Sequence, residues 1–298
     1  MSEKIRLIGG FHNEVYYLKD ENKILRISEV NKTEQSILQE LEWMEFLQKN
    51  GIRIPLPEKK LRNYNGRITT FFEYIEGNPV EVKNQGFWNS KTFEKLGRIL
   101  GKMHALSKNF EVAEIHRPVW TKDKPDVFSI KSNLDPGLKR IYDDLMGKLL
   151  FDPVAVDTYG LIHNDFHQGN LIVTNQGDIV VIDFDECSYN WFAQDVAVFF
   201  YHAYWQQQSF NGMTDDFCQE FLHSFFAGYQ AENLLHEITI KQIPIFLKLR
   251  EIYLYQLFLQ KWDLDQLEEW QKFTLDNLKN VIKNQMPYAG ILDFSVYL

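Results

Sequence analysis

The stretch LIHNDFHQGNLIVTNQGDIVVIDF, residues 161–184, restricts the fold more than any other part of the chain. Its second half, LIVTNQGDIVVIDF, reads as a β-hairpin: two β-branched runs with NQGD as the turn. Its first half places two histidines, an aspartate and three amides within the eight residues HNDFHQGN, between short β-like runs. A loop between two strands can present such groups on one side. The hairpin also returns a carboxylate, because its second strand ends at Asp183. Asn170 and Asp183 are then at the same end of the hairpin, where an amide and a carboxylate can grip one metal ion. On residue type alone, Asp165 and Asn170 also suit turn capping.

Upstream, KIRLI, EVYYL and KILRIS read as short strands separated by GGFHN and KDEN. The paired glycines of GGFHN suit a tight turn. TEQSILQELEWMEFLQKNG carries Ile37, Leu38, Leu41, Met44 and Leu47 at helical spacing, with Thr33 as N-cap and Gly51 in a C-cap position. GRITTFFEYIEG is a further strand, closed by Gly77 and Pro79. Beyond it the periodicity turns helical in TFEKLGRILGKMHAL, LKRIYDDLMGKLL, AQDVAVFFYHAYW, DFCQEFLHSFFAGYQ, IPIFLKLREIYLYQLFLQKW and TLDNLKNVIKN. The expectation is an α+β chain, with a small β-rich part over residues 1–76 and a larger, mainly helical part over 77–298.

His163, Asp165 and Asn170 have the His–x–Asp–x4–Asn spacing of the protein-kinase catalytic loop. With the hairpin ending in Asp183–Phe184, the chain resembles the aminoglycoside phosphotransferase/choline kinase family, the small-molecule branch of the protein-kinase-like fold. The resemblance is sharpest over LIHNDFHQGNLIV and GDIVVIDFDECSYNWFAQDVA, and extends through LGRILGKMHALS and RPVW. It implies a two-lobed fold, a nucleotide-binding lobe over 1–76 and a catalytic and acceptor-binding lobe over 77–298. It implies transfer of the γ-phosphate of ATP to a small-molecule hydroxyl, with Mg²⁺.

By the same resemblance, Asp165 would be the catalytic base, with His163 and Asp195 supporting its loop. Asn170 and Asp183 would hold Mg²⁺, and His167 is a candidate for facing the phosphates. Gly9, Gly10 and Asn13 of GGFHNEVY would cover the phosphates. Arg26 stands where protein kinases have the phosphate-pairing lysine, and Glu40 would orient it by an ion pair. Backbone groups of Glu73, Tyr74 and Ile75 would meet the adenine, and side chains there do not separate ATP from GTP. Asp185 replaces the glycine of the kinase DFG motif, so no protein-kinase activation loop is expected.

Candidates for the acceptor are Asp185, Glu186, Tyr189, Trp191, Tyr201, Trp205, Arg250, Tyr253 and Trp262. Rings beside carboxylates suit a quaternary ammonium; carboxylates alone suit an aminoglycoside; Arg250 suits a carboxylate, as in a homoserine-like acceptor. The same rings also suit helix packing. The acceptor therefore stays open among amine alcohols, aminoglycosides, sugars and hydroxy amino acids. A second reading is a non-catalytic, kinase-like nucleotide-binding or structural protein. Such proteins usually lose the base or a metal ligand, and this sequence keeps both.

Charge and composition narrow the remaining classes. The formal net charge of −9 argues against nucleic acid and anionic membranes as partners. No apolar run approaches the ~20 residues of a membrane span. AVFFYHAYW is too short and is interrupted by His202. The start, MSEKIRLIGG, lacks the apolar core of a signal peptide. Cys187 and Cys218 are not in a CxxC pair, which fits a reducing cytoplasm. The sequence carries no signal for an oligomeric state.

Overall fold

In the computed structural model, which describes residues 4–7, 13–121, 134–212 and 216–298, the early strands form one antiparallel sheet. Its order is β1 (Lys4–Leu7), β2 (Glu14–Leu18), β3 (Lys23–Ile27), β5 (Arg67–Glu73) and β4 (Arg62–Tyr64). Period-two alternation sends Leu18, Leu25, Ile27 and Phe71 into one buried cluster. Helix α1 (Glu34–Lys49) starts where expected, because Thr33 Oγ1 accepts the Ser36 N–H at 3.2 Å. It stops at Gly51, whose φ of 85° needs the left-handed region. Leu38 is a correction: it is 39% exposed, one residue off the buried stripe, and Trp43 fills the core instead.

These elements belong to the first of two compact units, formed by Met1–Val80, Asn109–Arg117 and Gln168–Cys187. The unit also contains a three-stranded sheet ordered β6 (Gly77–Pro79), β8 (Leu171–Thr174), β9 (Ile179–Val181). β8 and β9 are the expected hairpin: Leu171 faces Val181, and the turn closes through Thr174 N–H to Asp178 O at 2.9 Å. Gly77, expected to end a strand, instead opens the next one, β6. A Cβ there would stand 2.5 Å from the Val173 carbonyl oxygen, so only glycine permits the pairing.

The second unit comprises Glu81–Lys108, Pro118–His167 and Ser188–Leu298. It holds α2 (Ser90–Ser107), α3 (Pro136–Leu150), α4 (Phe192–Phe210), α5 (Phe217–Gln230), α6 (Glu237–Lys261) and α7 (Glu269–Lys283). Two short strands, β7 (Tyr159–Ile162) and β10 (Ser188–Trp191), pair antiparallel. Helices α2 and α5 touch backbone to backbone. A Cβ on Gly97 would be 2.0 Å from the Phe225 carbonyl oxygen, and one on Gly228 would be 1.9 Å from that of Glu94.

That contact predicts a stability effect. Gly228→Ala must push α2 and α5 apart and is expected to cost about 3 kcal/mol in urea unfolding. Gly147→Ala, on α3 with nothing within 4 Å of its added Cβ, is expected to be stabilising by roughly 0.5–1 kcal/mol. Equal midpoints for the two variants would contradict the close crossing. Among the described residues no helix is long and apolar enough to cross a membrane. Cys187 and Cys218 are both free thiols.

Candidate active site

In the second unit the polar loop after β7 is pinned by its backbone. Asp195, in the first turn of α4, is fully buried. Its Oδ2 accepts the His163 N–H at 3.0 Å, and its Oδ1 accepts the Asn164 N–H at 2.6 Å. Asn164 is held at a φ of 72°, a left-handed conformation that asparagine tolerates better than most residues. His104, near the end of α2, brings its Nε2 to 3.2 Å from the same Asp195 Oδ2. Tyr229 Oη lies 2.8 Å from the other ring nitrogen, and Asn233 donates to Tyr229 Oη at 3.0 Å. Burial lowers the His104 pKa against the opposing pull of Asp195. A neutral ring facing a carboxylate carries its proton on Nε2, so Tyr229 donates to Nδ1.

The loop's side chains divide by role. His163 is buried, and its Nδ1 accepts the Asp165 N–H at 3.4 Å. Phe166 is buried edge-on to His163 and to Phe199. Asp165 is about a quarter exposed, with its side chain 27% accessible. Its Oδ1 accepts from Arg250 Nη2 at 2.7 Å, and its Oδ2 lies 3.3 Å from His167 Nε2. Burial alone would raise the Asp165 carboxyl; the charges of His167 and Arg250 outweigh it and hold the group well below the usual carboxylate range.

Of the acceptor candidates, Arg250, Tyr253 and Trp205 fall close to this loop. The Arg250 guanidinium carbon lies over the Tyr253 ring, 5.2 Å from its centroid. Trp205 is 43% exposed and edge-on to His202, which itself stacks on His167 with centroids 4.4 Å apart. Trp191 and Tyr201 are corrections. Trp191 is fully buried and edge-on to Trp120 and Tyr159. Tyr201 is buried and stacked on Tyr288 at 4.6 Å. Both pack as core, the alternative that aromatic side chains always carry. Trp262 stacks on Phe258 at 4.3 Å, near the end of α6.

In the first unit Arg26 and Glu40 form the expected pair, and it is buried. Nη1 meets Oε1 at 2.6 Å and Nη2 meets Oε2 at 2.9 Å, with side chains 6% and 0% accessible. Burial would lower the Arg26 pKa, but Glu40, Asp185 and Asp183 raise it, so the guanidinium stays charged. Asp185 is a correction of a second kind. Asp185 is 2% exposed, with Lys32 Nζ 3.1 Å from its Oδ2 and Arg26 Nη1 3.7 Å from its Oδ1. Burial opposes ionisation there, and Arg26 and Lys32 bring its pKa down to about 2. Lys32 also lies 4.0 Å from Glu186. Asp185 therefore serves the ion cluster of this unit rather than an acceptor, whereas the Glu186 side chain is about a third exposed. Arg117, from RPVW, donates to the carbonyls of Cys187 at 2.8 Å and of Asp185.

Asn170 and Asp183 flank the paired strands as the hairpin requires. Ile182 N–H donates to Asn170 O at 3.0 Å, and Asp183 sits at a φ of 62°. Among the residues expected to meet the adenine, Glu73 N–H is spent on Leu56 O at 2.9 Å, and Tyr74 packs on Tyr17 with ring centroids 4.3 Å apart. Ile75 is half-buried in the irregular link between β5 and β6. Asn13 accepts the Glu29 N–H at 3.3 Å. Gly9 and Gly10 lie outside the described residues. Sequence reasoning missed Lys32 and His202. Neither sits in a motif, and each is defined by a partner distant in the chain.

Residues 4–237 match a family model described as "Phosphotransferase enzyme family". The chain belongs to that family. An amicoumacin kinase of Bacillus subtilis (strain 168) is 29% identical over 98% of this chain and 90% of its own length. A solved amicoumacin kinase, hAmiN in complex with AMP-PNP, Ca²⁺ and Ami, superposes with a TM-score of 0.86 at 27% identity, covering 99% of this chain and 92% of that one. A microcompartment-associated aminopropanol kinase gives a TM-score of 0.74 at 21% identity over 98% and 94%. The mixed α+β architecture is thus the protein-kinase-like one. The chain is a small-molecule kinase of this family.

Proposed function

We propose that this phosphotransferase moves the γ-phosphate of ATP to the hydroxyl of a small molecule, using Mg²⁺. The observation that carries the reading is Asp165: a carboxylate kept ionised, on a loop held by its own backbone, five residues before Asn170. Asp165 takes the proton of the attacking hydroxyl as the new O–P bond forms and the bond between the γ-phosphorus and its bridging oxygen breaks. Asn170 and Asp183 fit a hard divalent cation, because they offer oxygen donors from the same end of one hairpin, and the Asp183 charge is already felt by Arg26. When bound, the cation would neutralise charge on the phosphates. Arg26 has both terminal nitrogens on Glu40, so it contributes fixed positive charge rather than a free hydrogen-bonding fork. Lys32 is the more accessible cation, with 17% of its side chain exposed.

Amicoumacin and aminopropanol, named for relatives, are the first acceptors to try, followed by aminoglycosides, choline, sugars and hydroxy amino acids. The test is ADP release with Mg²⁺–ATP over that panel, run beside Asp183→Ala. Acceptor-dependent release that the variant loses is expected. The rival reading, a non-catalytic kinase-like protein, predicts no release with any acceptor. It is favoured outright if Mg²⁺–ATP also fails to stabilise the fold, since ligand at 100 times its Kd should add about 2.7 kcal/mol.

A further inference from the structure

Arg250 belongs to no kinase motif, yet it makes the shortest polar contact to Asp165 among those described above. Its side chain is 7% accessible, on α6. One nitrogen, Nη2, meets both Asp165 Oδ1 at 2.7 Å and His202 Nε2 at 2.8 Å. A guanidinium only donates, so His202 Nε2 is the acceptor and its ring proton sits on Nδ1. Burial first, then the charges of His167 and Arg250, push the His202 pKa far below its ordinary value, in keeping with a neutral ring. The stacked His167 returns to Asp165 Oδ2 at 3.3 Å. Residues from the loop, α4 and α6 thus close a ring around the carboxylate.

The same atoms look like a metal site. Asp165, His167 and His202 offer one carboxylate and two imidazoles whose ligand atoms all lie within 4.8 Å of one another, a donor set suited to zinc or cobalt. Arg250 decides against it. Its nitrogen already touches two of the three, and its charge is permanent.

We propose that Arg250 is a positioning residue for phosphoryl transfer: it holds Asp165 in one rotamer and occupies the place where the Asp165–His167–His202 set would otherwise take up a divalent transition metal. The first half rests on the reading of Asp165 as proton acceptor; the second stands without it. Among the described residues, the charged and titratable groups facing Asp165 include His167 from its own loop, His202 from α4 and Arg250 from α6.

Two measurements test the two halves. In the first, Co²⁺ is added to wild type, Arg250→Ala and the double variant Arg250→Ala/His202→Ala, and the visible d–d absorption is read. A band in Arg250→Ala, absent from the other two, is expected. An equal band in wild type, or none in Arg250→Ala, overturns the metal-excluding role. In the second, ADP release is followed against pH for Arg250→Met and Arg250→Lys, with acceptor or with water alone. Removing a cation raises the Asp165 pKa, so the acid limb of Arg250→Met should move up toward the usual ~4 of a carboxylate. Its kcat should fall about 10- to 100-fold with KM for ATP unchanged, and Arg250→Lys should recover part of both. An unaltered profile and kcat in Arg250→Met overturns the positioning role. If Asp165→Asn is itself fully active, the base assignment fails, and the cobalt result still stands alone.

Discussion

Asp165→Asn is expected to cut phosphoryl transfer by about 10²- to 10⁴-fold, the usual contribution of a positioned base. Its unfolding midpoint and its stabilisation by Mg²⁺–ATP should stay close to wild type. An amide cannot take the hydroxyl proton, so the chemical step loses its acceptor. Its Oδ1 can still accept from Arg250 Nη2, now 2.7 Å away, so the nearest structural contact survives. The loop is held through the N–H groups of His163 and Asn164 on Asp195, none of which the substitution touches. The Asp165 side chain, 27% accessible, leaves the new amide in contact with water as well. The measurement is kcat from ADP release beside a thermal shift. A rate within twofold of wild type would remove Asp165 from the mechanism.

What the sequence showed of this site depended on how local each signal was. The hairpin from Leu171 to Val181 and the cap at Thr33 are read from a few adjacent residues, and both formed as expected. The Arg26–Glu40 pair spans 14 residues and was legible only through the family resemblance. The contact from Arg250 to Asp165 spans 85 residues, and no periodicity or turn chemistry encodes it. Strand β10 was missed for a related reason. SYNW has little β-branching, and its register is set by β7, 26 residues upstream at the Ser188–Ile162 pair. Trp191 and Tyr201 failed differently. A ring's chemistry suits a ligand and a core equally, and only burial separates the two. Asp185 shows the same limit for charge: an acid read as facing a substrate proves to balance Lys32 and Arg26.

Asp195→Ala should fail in the opposite way to Asp165→Asn, losing stability together with activity. The carboxylate is fully buried and takes three donors: the N–H groups of His163 and Asn164, and His104 Nε2. Alanine leaves two backbone N–H groups without their acceptor, at about 1–3 kcal/mol each. The left-handed turn at Asn164 loses the hydrogen bond that holds it, so the direction of the next residue, Asp165, is no longer fixed. A total loss of about 3–5 kcal/mol in urea unfolding is expected, comparable to breaking a buried ion pair. Asp195→Asn should not rescue it. Whichever way the amide is turned, its NH₂ faces a backbone donor, where the native oxygen accepts. Phosphoryl transfer should fall with both variants even at temperatures where they remain folded, because a misdirected carboxylate cannot reach the hydroxyl proton. If either variant unfolds at the wild-type midpoint, the loop is held by something other than Asp195, and Asp165 would owe its placement to contacts such as those with Arg250 and His167.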